Sequence, residues 1–233
     1  MTAAVKKTTP ETWGRFNIDS LIGSGGMGEV YKAYDPSLGR FVALKILRRD
    51  QDEETVQRFL REARSQAQVE HRHVCKIYES GEYDGRPYIA MQYIKGETLQ
   101  DMKDKLNTEE IIGIMKDVAL GLHAAHKRGL IHRDVKPANI MIKKGDEGRW
   151  LPFVMDFGIA REQAAPGLIC TGMVVGTPYY MSPEHARGKQ ECLDRRSDVY
   201  SLGITLYELL GGDVPFRGDT PVETLLKIIQ KDP

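Results

Sequence analysis

Residues 21–47 read LIGSGGMGEVYKAYDPSLGRFVALKIL, and what flanks their glycine run decides the fold. Gly23-Ser24-Gly25-Gly26-Met27-Gly28 is a G-x-G-x-x-G, which serves dinucleotide sites, glycine-rich flaps over ATP, or plain loops. In a dinucleotide site the third glycine opens a helix whose N-terminus holds the pyrophosphate. Here β-branched and aromatic residues follow (Val30, Tyr31, Tyr34), then the turn Asp35-Pro36-Ser37-Leu38-Gly39, then FVALKIL. A P-loop is excluded because no Gly-Lys-Ser/Thr closes the run. The glycines therefore join two strands as a hairpin able to fold over a ligand.

Working outward, FNIDSLI from Phe16 is the strand before the hairpin, and residues 53–68 are predicted helical. Val56, Phe59, Leu60, Ala63 and Ala67 make its apolar stripe, with Glu62 beside that stripe. VCKIYES and RPYIAMQ read as strands joined at Asp84-Gly85. Beyond Gly96 the pattern turns helical. Asn107 with Glu110 forms an N-cap pair, Ile111, Met115, Val118, Leu122 and Ala125 share one face, and Lys127, Arg128 and Gly129 end the helix. Residues 198–210, DVYSLGITLYELL, are apolar nearly all round and predict a central helix. A last helix is predicted near 221–231. The expected organisation is a leader over 1–14, a small sheet lobe with one helix over 15–95, and a mainly helical lobe over 96–233.

Composition narrows the function. The 233 residues are 41% hydrophobic, which suits a globular chain, and 33 basic residues balance 33 acidic ones. A neutral chain lacks the basic excess of a general nucleic-acid binder, so no nucleic-acid partner is expected. Cys75, Cys170 and Cys192 show no metal-ligand spacing and read as reduced thiols. No apolar run is long enough to span a membrane, and MTAAVKKTTPETW lacks a signal-peptide core. A cytoplasmic domain is expected, with any membrane tether lying outside this chain.

Dense polar motifs sit between the helices of the second half: IHRDVKPANI at 131–140, VMDFGIAR at 154–161 and GTPYYMSPE at 176–184. Together with GSGGMGEVYKA and VALK (42–45), they resemble the protein kinase family, and more closely the eukaryotic-like Ser/Thr kinases of bacteria. The resemblance runs from about Phe16 to the last residue. It implies an α+β, two-lobed fold and transfer of the ATP γ-phosphate to a protein Ser/Thr hydroxyl. It implies ATP and Mg²⁺ as cofactors, with Mn²⁺ as an allowed substitute. Phosphoryl transfer needs positioning and charge neutralisation more than covalent help.

By resemblance, Lys45 serves the α/β-phosphates and is fixed by Glu62; Asp134 is the catalytic base or orienter; Lys136 reaches the γ-phosphate. Asn139 and Asp156 are the metal ligands, both hard oxygen donors suited to Mg²⁺. Gly23, Ser24, Gly25, Gly26, Met27 and Gly28 cover the phosphates. Ile22, Val30 and Ala43 roof the adenine, Met141 lies below it, and Met91 precedes a hinge at Gln92, Tyr93 and Ile94. His132 and Phe157 are expected to be architectural. Thr177 lines the substrate platform near Asp134. Thr171 is the expected phosphosite, modified in trans by another copy and pairing with Arg133.

Two departures stand out. The chain stops at QKDP, before the helices and the arginine that the resemblance supplies for Glu184. It is therefore expected to be C-terminally truncated, with part of 198–210 exposed. KKGDEGRWLPF, at 143–153, is longer than a minimal hairpin, with Trp150 and Phe153 available to cover its base. The alternative to an active kinase is a catalytically weak nucleotide-binding signalling or scaffold module; a dinucleotide oxidoreductase is disfavoured by the strand after the glycines.

Overall fold

The computed structural model describes residues 12–157, 178–189 and 193–231. The chain divides into two compact units, residues 1–67 with 76–94, and residues 68–75 with 95–233. The segment 68–75 thus groups with the second unit, although the sequence expectation drew a single boundary after residue 95.

The first unit is an antiparallel six-stranded sheet ordered β1-β2-β3-β4-β6-β5. The strands are β1 (Thr12–Trp13), β2 (Phe16–Ser24), β3 (Gly28–Asp35), β4 (Arg40–Leu47), β5 (Ile77–Tyr83) and β6 (Arg86–Gln92). The glycine run joins β2 to β3 as the sequence predicts, with Ser24 opposite Glu29 and Gly23 opposite Val30. Gly25 donates to the Gly28 carbonyl at 2.9 Å inside the turn. Asp84-Gly85 closes the β5–β6 hairpin with both residues in the left-handed region (φ 51° and 66°), as the strand twist requires of a two-residue turn. Asp35 ends β3, where its carboxylate accepts from the Ser37 N–H at 2.9 Å and pairs with Arg15 at 3.0 Å.

Alternation gives this sheet two faces. Tyr31, Ala33, Val42, Leu44, Ile46, Tyr88 and Ala90 point to one side and form a core with Trp13 and Phe16. Trp13 packs edge-on against Tyr83 and Tyr88, with ring centroids at 4.9 and 5.1 Å.

Helix α1 (Glu53–Ala67) packs on β5 and β6. Asp52 caps it, accepting from the Thr55 N–H at 2.7 Å. Its buried residues are Thr55, Phe59, Glu62, Ala63 and Gln66, whereas Ala67 is exposed. The expected stripe is therefore turned toward Glu62, which lies inside the buried face rather than beside it. A second correction concerns VCKIYES: β5 starts only at Ile77. Residues 73–75 spend their backbone groups on the second unit, where Val154 N–H donates to His73 O at 2.8 Å and Cys75 N–H donates to Val154 O at 2.9 Å.

The second unit holds a three-stranded sheet, β7 (Glu97–Thr98), β8 (Ile140–Lys144) and β9 (Trp150–Val154), in the order β7-β8-β9. Its helices are α2 (Leu99–Met102), α3 (Thr108–His126), α4 (Pro183–Ala186), α5 (Arg195–Gly211) and α6 (Pro221–Gln230). Asn107 and Glu110 form the predicted capping box at the start of α3. Glu110 also accepts from the Trp150 indole at 2.8 Å, so the long hairpin is tied to α3 by the residue expected to cover its base. Ile111, Ile114, Met115, Val118 and Leu122 of α3 pack with Ile140, Ile142, Val154 and Phe157. A smaller core gathers Met181, Ile204, Val214, Phe216, Leu225 and Ile228.

Part of helix α5 is exposed, as expected for 198–210, but the residues it buries are not those its apolar character predicts. Its buried residues include Ser197, Asp198, Ser201, Thr205 and Glu208, while Val199, Tyr207 and Leu210 are exposed. The polar edge is turned inward because neighbouring segments present backbone and side-chain groups to it. Ser201 Oγ, for instance, donates to Tyr180 O at 2.6 Å.

Among the glycines of the run, Gly28 has a structural reason of its own. A Cβ there would lie 2.2 Å from the Ile46 carbonyl oxygen, whereas one on Gly25 would meet open space. Gly28→Ala should cost about 1–3 kcal/mol from overpacking against backbone. Gly25→Ala should stay within about 0.5 kcal/mol. Chemical denaturation of the two variants beside the parent chain measures both; equal losses would contradict this reading.

Candidate active site

In the first unit, register gathers the expected nucleotide residues on the face opposite the aromatic core. Gly23 pairs with Val30, Val30 with Lys45, Lys45 with Ile89, and Ala43 with Met91. Directly paired residues share a face, so Val30, Ala43, Lys45 and Met91 form one patch. Ala43 and Met91 are buried, Val30 and Lys45 half-buried, and Ile22, at an irregularity in the β2–β3 pairing, is exposed. Met27 accepts from Arg48 N–H at 3.0 Å, which anchors the turn holding Ser24, Gly25 and Gly26. Gln92 ends β6 with its N–H on Lys76 O at 2.8 Å; Tyr93 is half-buried and Ile94 buried at the limit of this unit. Glu62 sits on the buried face of α1.

In the second unit the residues of IHRDVKPANI converge closely. Asp134 is only 7% exposed. Its Oδ2 accepts from Lys136 Nζ at 2.7 Å and from Asn139 Nδ2 at 2.9 Å, and its carbonyl accepts from the same Nδ2 at 2.8 Å. Pro137–Asn139 is a 3₁₀ turn leading into β8. Because β8 and β9 are antiparallel, with Ile140 opposite Val154, the residues just outside them meet: Met155 N–H donates to Asn139 O at 2.9 Å. Asp156 follows directly, so the two expected metal ligands are neighbours in space. Met141 lies on β8, half-buried, opposite Phe153. Thr171 and Thr177 lie outside the described residues.

Two residues here adopt backbone angles that non-glycine residues rarely take: Arg133 at φ +64° and Asp156 at φ +49°. For Arg133 the cause is visible. Asp198, fully buried at the start of α5, accepts from Arg133 N–H at 2.8 Å on Oδ1 and from His132 N–H at 2.8 Å on Oδ2. His126 Nε2, from the end of α3, reaches the same Oδ2 at 2.7 Å. Burial alone would raise the Asp198 carboxyl pKa, but the His126 bond and the two backbone donors outweigh it and hold the pKa below the usual range.

His132 is fixed by its neighbours. Its Nδ1 accepts from Asp134 N–H at 3.2 Å, which leaves Nε2 to carry the proton toward Met155 O at 2.8 Å. Its ring lies 4.6 Å from that of Phe157. Both residues are fully buried, in keeping with an architectural role.

Downstream, Glu208 of α5 accepts from Tyr180 Oη at 2.6 Å and from Lys103 Nζ at 3.1 Å. Burial first, and then the Glu208 carboxylate, push the Tyr180 phenol up. Glu184 accepts from Ser197 Oγ at 2.6 Å, a hydroxyl where the resemblance would supply an arginine. Sequence reading missed Asp198, His126 and Glu208 as site-shaping groups. The available signal was acids inside an otherwise apolar helix, which must find partners when buried.

Asp198→Asn should cost about 3 kcal/mol, since it leaves the backbone donors and His126 facing a neutral amide. A carboxyl whose folded pKa is depressed stabilises the fold above its unfolded value of about 4 and loses that contribution as pH falls through the folded value. The gap between parent and variant in urea unfolding should therefore be full at neutral pH and shrink in acid. A gap independent of pH would exclude the charge as its origin.

This architecture agrees with known proteins. The protein kinase domain family matches residues 16–232. The serine/threonine-protein kinase PknB of Mycolicibacterium smegmatis is 43% identical over 97% of the chain, which spans 37% of that relative's length. A probable serine/threonine-protein kinase of Streptomyces coelicolor is 41% identical over 94% of the chain and 33% of its own length. Among solved structures, the Mycobacterium tuberculosis PknI kinase domain superposes with a TM-score of 0.70 at 34% identity, covering 88% of this chain and 77% of that one. The chain belongs to the protein kinase family, as a domain of the bacterial Ser/Thr kinase type.

Proposed function

We propose that this domain transfers the γ-phosphate of Mg-ATP to a Ser or Thr hydroxyl of a protein substrate, with Asp134 receiving or orienting the hydroxyl proton. The observation that carries this is the clamp on Asp134: one carboxylate oxygen held by the Lys136 ammonium and the Asn139 amide. Such a carboxylate is fixed in place for a nucleophile, and Lys136 is near enough to shield a γ-phosphate from it. Asn139 spends its Nδ2 on Asp134, so its Oδ1 is the end turned to a hard cation. With Asp156 beside it, the donor set is all oxygen and fits Mg²⁺. When bound, the ion would neutralise charge on the β- and γ-phosphates. In the first unit Lys45 serves the α/β-phosphates, Glu62 fixes it, and Val30, Ala43 and Met91 contact adenine.

A γ-labelled ATP assay on a generic basic protein tests the reading. Asp134→Asn should lower kcat by about 10²–10⁴-fold with nucleotide binding retained. A parent chain that binds nucleotide but transfers no label would select the nucleotide-binding module instead.

We further propose that Thr171 is phosphorylated in trans by another copy, its new charge pairing with Arg133, the arginine held beside Asp134 by Asp198. Thr171→Ala should then autophosphorylate and turn over substrate poorly, and parent autophosphorylation should accelerate with protein concentration. Unchanged turnover in the variant would refute this assignment.

A further inference from the structure

We infer that Asp117 is a positioning residue for Asp156, acting through His73 and Arg149 on the strand that delivers Asp156. The inference rests on the proposed role of Asp156 as a metal ligand.

Asp117 lies on α3, seven residues past Glu110, and is only 6% exposed. A buried carboxylate costs free energy unless it is paired. Its Oδ2 accepts from Arg149 Nη2 at 2.8 Å and lies 3.6 Å from His73 Nε2. Arg149 immediately precedes β9, and its carbonyl accepts from Gly145 N–H at 2.8 Å across the hairpin. His73 is 3% exposed, and its Nδ1 faces Pro152 O at 3.0 Å. A carbonyl only accepts, so Nδ1 donates. The backbone on both sides of Val74 completes the grip: His73 O takes Val154 N–H, and Cys75 N–H meets Val154 O.

Strand β9 is thus held at Pro152 by a side chain and at Val154 by both backbone groups, all from residues 73–75. Asp117 ties α3 to this hairpin through the Arg149 guanidinium and lies beside the imidazole that holds Pro152. Two residues beyond Val154, Asp156 adopts its left-handed backbone, a conformation that persists only where surroundings impose it. Met155 is held by Asn139 O and His132 Nε2, and the β9 anchor fixes the strand end from which both contacts are made. His71, His73, Asp117, Arg149 and Leu151 also line a cavity of about 530 Å³. Arg149 is largely exposed, so a replacement there faces water, whereas Asp117 is buried.

The test is a MgCl₂ titration of binding of a fluorescent ADP analogue, with the same analogue measured without metal. Asp117→Asn and His73→Leu should raise the MgCl₂ midpoint about threefold to tenfold, at or below the loss usual for a group that supports a metal ligand. Metal-free affinity should stay unchanged. His73→Asn, whose amide replaces the Nδ1 donor to Pro152 O but loses the Nε2 side facing Asp117, should fall between the parent and His73→Leu, which a merely space-filling histidine would not predict. Folded Asp117→Asn and His73→Leu with the parent midpoint would overturn the inference, as would His73→Asn behaving like His73→Leu. If the two buried-site variants fail to fold, Arg149→Ala decides, a parent-like midpoint counting against the proposal. Asp156→Ala separates the underlying reading: a parent-like midpoint there refutes Asp156 as a ligand. In that event amide exchange at Val154 and Met155 decides, with faster exchange in His73→Leu supporting the anchor and unchanged exchange overturning it.

Discussion

One buried carboxylate organises the second unit. Asp198 collects two consecutive backbone N–H groups and one imidazole, and in doing so imposes a left-handed turn on Arg133, one residue before Asp134. The left-handed region costs a non-glycine residue of order 1–3 kcal/mol. Charge-assisted bonds to buried donors are worth more than neutral ones, so this anion can sustain the turn where a neutral acceptor would not. The direction in which the Asp134 side chain leaves the loop follows from that turn.

The other half of the site is built by register. Asn139 and Asp156 flank an antiparallel hairpin, and the pairing of Ile140 with Val154 is what brings them side by side. A slip of one residue would separate them and turn every side chain of β9 to the opposite face. The hairpin's ties to α3, Trp150 to Glu110 and Arg149 to Asp117, oppose such a slip from outside the sheet. The long connection at 143–153 is thereby integrated with helix α3.

The first unit solves a different problem. A sheet with an aromatic core on one side must still present a cation and a smooth apolar patch on the other. Strict alternation from Val42 to Ile46 does this: Val42, Leu44 and Ile46 go to the core, Ala43 and Lys45 to the opposite face. Gly28 allows β3 to approach β4 closely at Ile46, so at least one glycine of the run is demanded by packing as well as by any ligand.

Local chemistry made much of this legible. Residues after the glycine run that favour strands determined a hairpin rather than a helix. Asp84-Gly85 determined a tight turn, and Asn107 with Glu110 a helix start, because each effect acts over a few residues. The residues from His132 to Asn139 were readable as a motif by resemblance; the bonds of Asp134 to Lys136 and Asn139 are local, whereas those of His132 and Arg133 to Asp198 and of His132 to Met155 are not. What the sequence could not supply were the choices made between distant segments. Glu62 turned inward although hydrophobic spacing put it beside the stripe. Residues 74–76 left their expected strand, because Val154 claimed the backbone around Val74. Asp198 and Asp117 became buried anchors: an acid inside an apolar helix signals that a partner is needed, but not which one. Periodicity ranks positions by side-chain hydrophobicity alone, whereas a buried acid is placed by the donors that meet it, and those donors are known only once the chain has folded.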